Sequence, residues 1–207
     1  MKVNMLLRAI DQGFFRSISN DKWIGVDFGA YYLIREGFSP IHAFGDFDSV
    51  TDDELRVIQA QMDVDIVPSE KDFTDFELSL KYAVENGYKD IDVYGALGGR
   101  MDHALANIQT LVHADFVNKN IRLIDEMNII KSVNTGRHTL QQTKGMKYIS
   151  IIPMYPNTRL TLSGFKYEAK NMTLEIGRTL TVSNEFAGGR TSTIDTSAPI
   201  IIIESKD

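Results

Sequence analysis

The chain has 207 residues, of which 43% are apolar and 24% charged, and its formal net charge is −6; this is typical of a globular protein with one large domain or two small ones. The acidic balance, without any run of Lys or Arg, argues against a nucleic acid as partner, and no apolar run approaches the roughly 20 residues of a membrane-spanning helix. The sequence contains no cysteine, which excludes disulfides, thiolate nucleophiles and zinc–sulfur sites and fits a cytoplasmic location, and residues 1–10 lack a signal-peptide pattern.

The first 125 residues alternate between strand-like and helix-like segments. The pattern predicts strands over 3–7, 23–27, 41–44 and 91–94 and helices over about 30–36 and after positions 51, 74 and 100. Thr51 with Glu54, and Thr74 with Glu77, have the spacing of capping boxes at two of these helices. Repeated strand–helix units predict a mostly parallel sheet with helices on both faces.

After residue 125 the pattern changes to short alternating segments separated by turn residues, which is typical of antiparallel strands. Strands are predicted over 129–133, 137–141, 148–152, 159–162, 172–176, 179–182 and 200–203. We therefore expect two domains: an α/β domain over 1–125 and an antiparallel, sandwich-like all-β domain over 126–207.

The first acidic segment follows the third predicted strand. Asp46 and Asp48 flank Phe47, so in extended chain both carboxylates point to one side, and Ser49 adds a hydroxyl at the helix entry. A polar turn in which Asp48 or Ser49 only caps the helix is an equally good interpretation of this segment taken alone.

The second acidic segment surrounds the start of a predicted helix. Asp75 in the first turn favours the helix dipole and Thr74 caps the helix, so both have a structural explanation. Capping explains neither Asp72 nor Lys71, and the lysine could either neutralise the acids or reach a phosphate group.

The third segment combines two glycines with an arginine directly before a helix. Gly98 and Gly99 allow close approach of a ligand to backbone N–H groups, and Arg100 offers a planar cation, which together suit a phosphate. His103 is more readily explained as a capping or packing residue than as a base, and Asn107 is either a ligand contact or a surface residue. Because carboxylates also suit Mg²⁺, the three segments together indicate phosphoryl-type transfer.

In this order and spacing, the segments resemble the thiamine pyrophosphokinase family of the bacterial type. The resemblance runs from about residue 25 to the C-terminus and rests on GDFDS at 45–49, PSEKDFTDFE at 68–77, GALGGRMDH at 95–103 with Asn107, GFKY at 164–167 and SNEF at 183–186. The chain departs from the family pattern at two places. Phe28 stands where the family has the first of two glycines, and residues 8–11 stand where a glycine-rich turn often follows the first strand.

The resemblance implies transfer of a pyrophosphoryl group from ATP to the hydroxyl of thiamine, with Mg²⁺. It also implies an ATP-binding catalytic N-terminal domain, a thiamine-binding C-terminal domain, and a homodimer with active sites at the subunit interface. Two readings stay open beside it: a Mg²⁺-dependent phospho- or nucleotidyltransferase acting on another small alcohol, and a non-catalytic nucleotide or thiamine sensor.

The residue roles that follow from the resemblance fall into three groups. Catalysis and metal binding are expected of Asp46, Asp48, Asp72 and Asp75, with Asp72 or Asp75 orienting or deprotonating the hydroxyl. Contacts with the ATP phosphates are expected of Ser49, Lys71, Thr74, Gly98, Gly99, Arg100, Asp102, His103 and Asn107. Contacts with thiamine are expected of Ser183, Asn184 and Glu185.

Overall fold

A computed structural model describes residues 1–19, 22–62, 64–66, 72–189 and 191–207. The chain divides into two compact units. The first unit comprises residues 1–107 and 119–124, and the second comprises 108–118 and 125–207. In the part of the chain that the structure describes, no helix is both long and apolar enough to cross a membrane.

The first unit is built on parallel strands flanked by helices. The strands are β1 (Lys2–Leu6), β2 (Trp23–Val26), β3 (His42–Gly45), β4 (Val64–Ile66), β5 (Asp90–Tyr94) and β6 (Asn120–Ile124). The helices are α1 (Gln12–Ser17), α2 (Phe28–Arg35), α3 (Asp52–Gln59), α4 (Asp75–Glu85) and α5 (Met101–Thr110), the last of which begins in this unit. The spatial order of the strands is β6-β5-β1-β2-β3-β4, and every pairing among them is parallel.

Burial explains why these segments form a parallel sheet. All four residues of β2 are buried, and so are the last four residues of β1 and of β5, as expected for strands covered on both faces. The strand order reverses beside β1, since β2 to β4 continue on one side while β5 and β6 lie on the other. In sheets of this kind the loops at the carboxyl ends diverge at the reversal and leave a crevice.

Local capping fixes where two helices of the first unit begin. Thr51 caps α3, and the reciprocal bond from the Thr51 N–H to the Glu54 carboxylate is 2.8 Å long, so the predicted capping box forms. Thr74 caps α4 by accepting a 3.2 Å bond from the Glu77 N–H. The Glu77 carboxylate pairs instead with Lys81 Nζ at 3.5 Å, so only the threonine half of the second predicted box forms.

The second unit is antiparallel. Its strands are β7 (Asn128–Val133), β8 (Gly136–Leu140), β9 (Tyr148–Pro153), β10 (Thr158–Ser163), β11 (Ala169–Leu174), β12 (Asn184–Glu185), β13 (Ser192–Thr196) and β14 (Ile200–Ser205). They form the orders β12-β9-β14-β7 and β11-β10-β13-β8. One apolar cluster joins residues of both sheets, including Ile151 and Ile202 from one and Leu160 and Ile194 from the other. The predicted fold class, a parallel α/β part followed by an antiparallel β sandwich, is confirmed.

The predicted strand over 179–182 is wrong. The segment forms a turn in which the side chains of Leu180 and Val182 are exposed. Thr181 is the buried residue of this turn, and its hydroxyl donates to the carbonyl of Ile151 at 2.6 Å. The alternation of apolar and polar residues therefore reflects an exposed turn anchored at one residue, and β12 and β13 complete the two sheets instead.

Candidate active site

A pocket of about 390 Å³ opens at the carboxyl ends of the strands of the first unit. Its walls come from the segments that follow β1, β2, β3 and β5 and from the first turns of α4 and α5. Eight of the residues predicted from the sequence line it: Asp48, Ser49, Thr74, Asp75, Gly98, Arg100, His103 and Asn107. The parallel topology thus brings residues from the three predicted segments into one cavity.

A cluster of three carboxylates lies at this site. Asp27, Asp46 and Asp75 each offer one oxygen, and these three oxygens lie within 4.8 Å of one another. The sequence predicts Asp46 and Asp75 as metal ligands but not Asp27, which precedes α2. We call these three residues the acidic cluster.

Asp27 is held in place by backbone contacts from the neighbouring strand. Its N–H donates to the carbonyl of Phe44 at 2.8 Å, and its Oδ1 accepts from the Phe47 N–H at 3.4 Å. Its φ of 48° is unusual for a residue other than glycine. A β-carbon on Gly45 would overlap Asp27 Oδ1, so a glycine is needed there to admit the carboxylate.

Burial and the crowding of like charges together perturb this cluster. The pKa of Asp27 is raised from 3.8 to about 7, first by burial and then by the charges of Asp75 and Asp46, while the Phe47 N–H opposes the rise. A divalent cation bound by these carboxylate oxygens would offset the repulsion between their negative charges. The three carboxylates are oxygen ligands of the kind that Mg²⁺ prefers, so they fit this metal.

The other predicted metal ligands differ in position. Asp48 lines the pocket, and its N–H donates to Asp46 Oδ1 at 3.1 Å, which fixes the turn between the two acids. Phe47, between them, is buried with a φ of 56°. Asp72 is exposed and belongs neither to the acidic cluster nor to the pocket lining. Lys71 lies outside the described residues.

The glycine turn follows β5 and contributes Gly98 to the lining of the same pocket. Gly98 and Gly99 have φ of 77° and 66°, a conformation that glycine adopts without strain. Arg100 follows, and its guanidinium makes two bonds to Asp102, from Nε to Oδ1 at 3.2 Å and from Nη2 to Oδ2 at 2.6 Å. Both side chains are exposed, at 73% for Arg100 and 62% for Asp102.

This ion pair keeps Asp102 in its charged form. The bonds from Arg100, together with the His103 N–H, lower the pKa of Asp102 to about 2. Asp102 is therefore an anion that already occupies the guanidinium of Arg100. It lies outside the pocket lining.

Asn107 ties α5 to the loop that follows β5. Its side chain is 7% exposed, and its Nδ2 donates to the carbonyl of Ala96 at 3.0 Å. His103 lies one helical turn earlier and also lines the pocket. The pair therefore presents one polar face of the helix to the cavity.

The second unit contains the residues predicted to contact thiamine. The Asn184 amide is buried and makes three hydrogen bonds: its Oδ1 accepts from the N–H groups of Tyr167 and Glu185 at 3.0 and 2.9 Å, and its Nδ2 donates to the Tyr167 carbonyl at 2.8 Å. Glu185 pairs with Lys166 Nζ at 2.7 Å, and Ser183 is exposed. Asn184 thus joins two predicted segments, 164–167 and 183–186.

Sequence reasoning missed two charged residues of the pocket lining, Asp27 and Arg8. Asp27 shares one signal with the predicted acids, since it follows a buried strand and precedes a helix. Arg8 follows β1 and lines the same pocket. Its guanidinium lies against Gly98 and Gly99, because a β-carbon on either glycine would overlap it.

A carboxylate cluster opposite a glycine-led helix start, at the crevice of a parallel sheet, defines a site of the class that handles nucleotide phosphates. Comparison with known proteins is more specific. Residues 16–124 match the family model for the thiamin pyrophosphokinase catalytic domain, and residues 137–201 match the model for its vitamin B1 binding domain. The chain belongs to the thiamin pyrophosphokinase family, which confirms the resemblance.

Individual relatives agree with this assignment. The thiamine pyrophosphokinase of Bacillus subtilis is 40% identical over 187 residues, which cover 89% of this chain and 87% of the relative. Its crystal structure matches along the full length of both chains with a TM-score of 0.85. The crystal structure of a thiamin pyrophosphokinase family protein from Enterococcus faecalis also matches both chains in full, with a TM-score of 0.89 and 27% identity.

Proposed function

We propose that this protein transfers the pyrophosphoryl group of ATP to the hydroxyl of thiamine, giving thiamine diphosphate and AMP. The observation that carries the proposal is the acidic cluster beside the Gly98–Gly99 turn, within the part of the chain that matches the family's catalytic domain. Acids for Mg²⁺ on one side and phosphate donors on the other are what such a transfer needs.

In this proposal the acidic cluster holds Mg²⁺. Asp27, Asp46 and Asp75 would be the direct ligands, since their oxygens already converge within 4.8 Å. Asp48, which lines the pocket, would contribute through a water molecule. Asp72 remains a prediction without support from the cluster. When bound, Mg²⁺ supplies positive charge that neutralises phosphate oxygens and orients them.

The phosphate contacts come from the opposite wall. The backbone N–H groups of Gly98 and Gly99 and the guanidinium of Arg100 bind phosphate oxygens, the latter after exchanging Asp102 for the ligand. Ser49 and Thr74 offer hydroxyls, and His103 and Asn107 complete the lining. Lys71 keeps its predicted role as a further phosphate contact.

The reaction is a displacement at the β-phosphorus. The thiamine oxygen forms a bond to this phosphorus, the bond from the β-phosphorus to the α–β bridging oxygen breaks, and AMP leaves with that oxygen. The hydroxyl proton passes to a carboxylate. We assign this role to Asp75, because it lines the pocket and belongs to the acidic cluster, whereas Asp72 does neither.

Thiamine binding belongs to the second unit in this proposal. Ser183 and Glu185 contact thiamine, with the carboxylate of Glu185 suited to the cationic thiazolium ring. Asn184 contributes by holding this segment against residues 164–167. The match of residues 137–201 to a vitamin B1 binding domain supports the division into an ATP-binding catalytic domain over 1–125 and a thiamine-binding domain over 126–207.

We further propose a homodimer with the active site at the subunit interface, acting in the cytoplasm. A mixing experiment tests the shared site. Asp46→Asn and the double variant Ser183→Ala, Asn184→Ala are each expected to be inactive at limiting thiamine. Mixed after reversible dissociation, they should regain activity, because one kind of site in the mixed dimer carries neither lesion. No regain in proven mixed dimers would place each site within one subunit.

The reaction itself is tested by product analysis. ATP, thiamine and Mg²⁺ should give AMP only when all three are present, and Asp46→Asn should abolish it. AMP release that does not depend on thiamine would contradict the proposed acceptor.

A further inference from the structure

We propose that Arg8 is a second phosphate-binding guanidinium of this site, contacting the triphosphate of the nucleotide at the Gly98–Gly99 turn. The inference rests on the proposed function for the identity of the nucleotide. It concerns a residue outside the segments that identify the family, at a position where a glycine-rich turn is often found.

The position of Arg8 in the sheet is the first argument. It comes two residues after the end of β1, the strand beside which the strand order reverses. The Leu7 N–H donates to the Tyr94 carbonyl at 3.1 Å, so the chain stays paired with the end of β5 up to the point where Arg8 enters the pocket. A crevice of this kind is the usual ligand site of an open parallel sheet.

The contacts of Arg8 with the glycine loop are the second argument. At Gly95, with φ of 73°, a β-carbon would come 2.9 Å from Arg8 Cγ. At Gly98 it would come 2.9 Å from Arg8 Nη2, and at Gly99 it would overlap Nη1. Three glycines therefore leave room for one arginine, and the guanidinium lies on the turn whose N–H groups precede α5.

The two arginines of the pocket differ in exposure and in ion pairing. Arg100 is 73% exposed and bonded twice to Asp102. Arg8 is half-buried. Among the residues that the structure describes, no carboxylate oxygen lies within 4.0 Å of its guanidinium nitrogens, so it forms no ion pair with them. Arg8 thus presents its N–H donors without first breaking such a pair, in a less exposed setting where a charge-assisted bond is stronger.

The charge of the ligand explains why a second cation is useful. The pocket wall carries Asp27, Asp48 and Asp75, and the chain as a whole has a net charge of −6. A triphosphate approaching this wall is repelled unless fixed cations offset the acids. A guanidinium stays protonated at any relevant pH, and its rigid planar fork of N–H donors matches two phosphate oxygens, a geometry that the ammonium group of lysine lacks.

The test is a binding measurement that needs no turnover. Arg8→Met keeps an unbranched apolar stem and removes the charge, and Arg8→Lys keeps the charge without the planar fork. Arg16→Met is the matched control, because Arg16 is exposed on α1 and lies outside the pocket lining. Calorimetry with Mg²⁺ measures the affinity for an α,β-methylene analogue of ATP and for AMP, and thermal melting checks the fold.

Arg8→Met should weaken binding of the ATP analogue roughly 10- to 100-fold, and binding of AMP clearly less, because the lost bonds go to the outer phosphates. Arg8→Lys should recover only part of the loss, and Arg16→Met should bind like the wild type. Wild-type affinity in Arg8→Met, or an equal loss for both nucleotides, would overturn the proposal. If Arg8→Met does not fold, Arg8→Lys decides, since full affinity there would also overturn it.

The outcomes separate this inference from the proposed function. A wild type that binds the ATP analogue but makes no thiamine diphosphate would contradict the proposed function and leave the Arg8 comparison valid. A wild type that makes thiamine diphosphate, with unchanged affinity in Arg8→Met, would contradict the role of Arg8 alone.

Discussion

Replacing Asp27 by asparagine should stabilise the metal-free protein at pH 8. The wild-type carboxylate has a pKa of about 7 in the fold because it is buried beside Asp75 and Asp46. In the unfolded chain the pKa returns to about 3.8, so ionisation in the fold carries a free-energy penalty. Asparagine has no charge to bury and keeps an oxygen that can accept the Phe47 N–H bond.

The magnitude follows from the difference between the two pKa values. A rise of about three in pKa corresponds to at most about 4 kcal/mol in the free energy of unfolding above pH 7. The amide is still partly buried, so we expect a net gain of about 1–3 kcal/mol. Because the folded pKa is the higher one, the penalty is complete above pH 7 and disappears as the pH falls towards 4. The gain at pH 5 should therefore be less than half of the gain at pH 8.

Urea unfolding with EDTA, at pH 8 and pH 5, measures this gain. Asp52→Asn serves as the control, because Asp52 is exposed in the first turn of α3, outside the acidic cluster. Its effect should stay within a few tenths of a kcal/mol. Added Mg²⁺ should stabilise the wild type more than Asp27→Asn. No gain at pH 8, or an equal gain at both pH values, would refute the charge-crowding account of the cluster.

Three further predictions concern the other site residues. Asp48→Asn should lower turnover roughly 100-fold with an unchanged midpoint of unfolding, and near wild-type turnover at saturating Mg²⁺ would remove it from the site. Arg100→Ala should raise the KM for ATP more than that for thiamine; unchanged ATP kinetics would contradict phosphate binding there. Ser183→Ala should raise the thiamine KM without loss of stability, whereas Asn184→Ala should lose about 1–3 kcal/mol of stability by leaving the Tyr167 backbone unpaired. A fully stable Asn184→Ala variant would show that the hydrogen bonds between Asn184 and the Tyr167 backbone do not contribute to stability.

The sequence predicts the elements whose apolar patterns are strong. β1, β2 and β5 are rich in apolar residues that become buried, and Thr51 and Thr74 mark the starts of α3 and α4. The short helix α1 escapes prediction because Phe15 is its one buried residue.

The strand β13 escapes prediction for a different reason. It reads STIDT, and its buried Ser192 and Thr196 donate their hydroxyls to the carbonyls of Gly164 and Ala198 at 2.8 and 2.7 Å. The carbonyl of Ala198 is a local partner, whereas that of Gly164 comes from a loop 28 positions earlier in the chain, so burial of Ser192 depends on tertiary structure.

The candidate site likewise contains residues that the sequence predicts and residues that only the tertiary structure identifies. Paired acids such as Asp46 and Asp48 can be recognised in the sequence as candidate metal ligands. Asp27 has no acidic neighbour in the sequence, and it joins the acidic cluster only because β2 and β3 are adjacent in the sheet. The position of the Arg8 guanidinium depends on the space left by Gly98 and Gly99, about ninety positions later in the chain. The pairing of β1 with β5 brings these residues close to Arg8.

The most direct test of the central claim follows the phosphates of ATP. The purified protein is supplied with thiamine, Mg²⁺ and ATP labelled at either the β- or the γ-phosphate, and the products are separated. We predict that the β label and the γ label, each in its own experiment, both appear in thiamine diphosphate. One AMP should be released for each thiamine diphosphate formed. ADP as the nucleotide product, with only the γ label on thiamine, would contradict attack at the β-phosphorus and with it the proposed function.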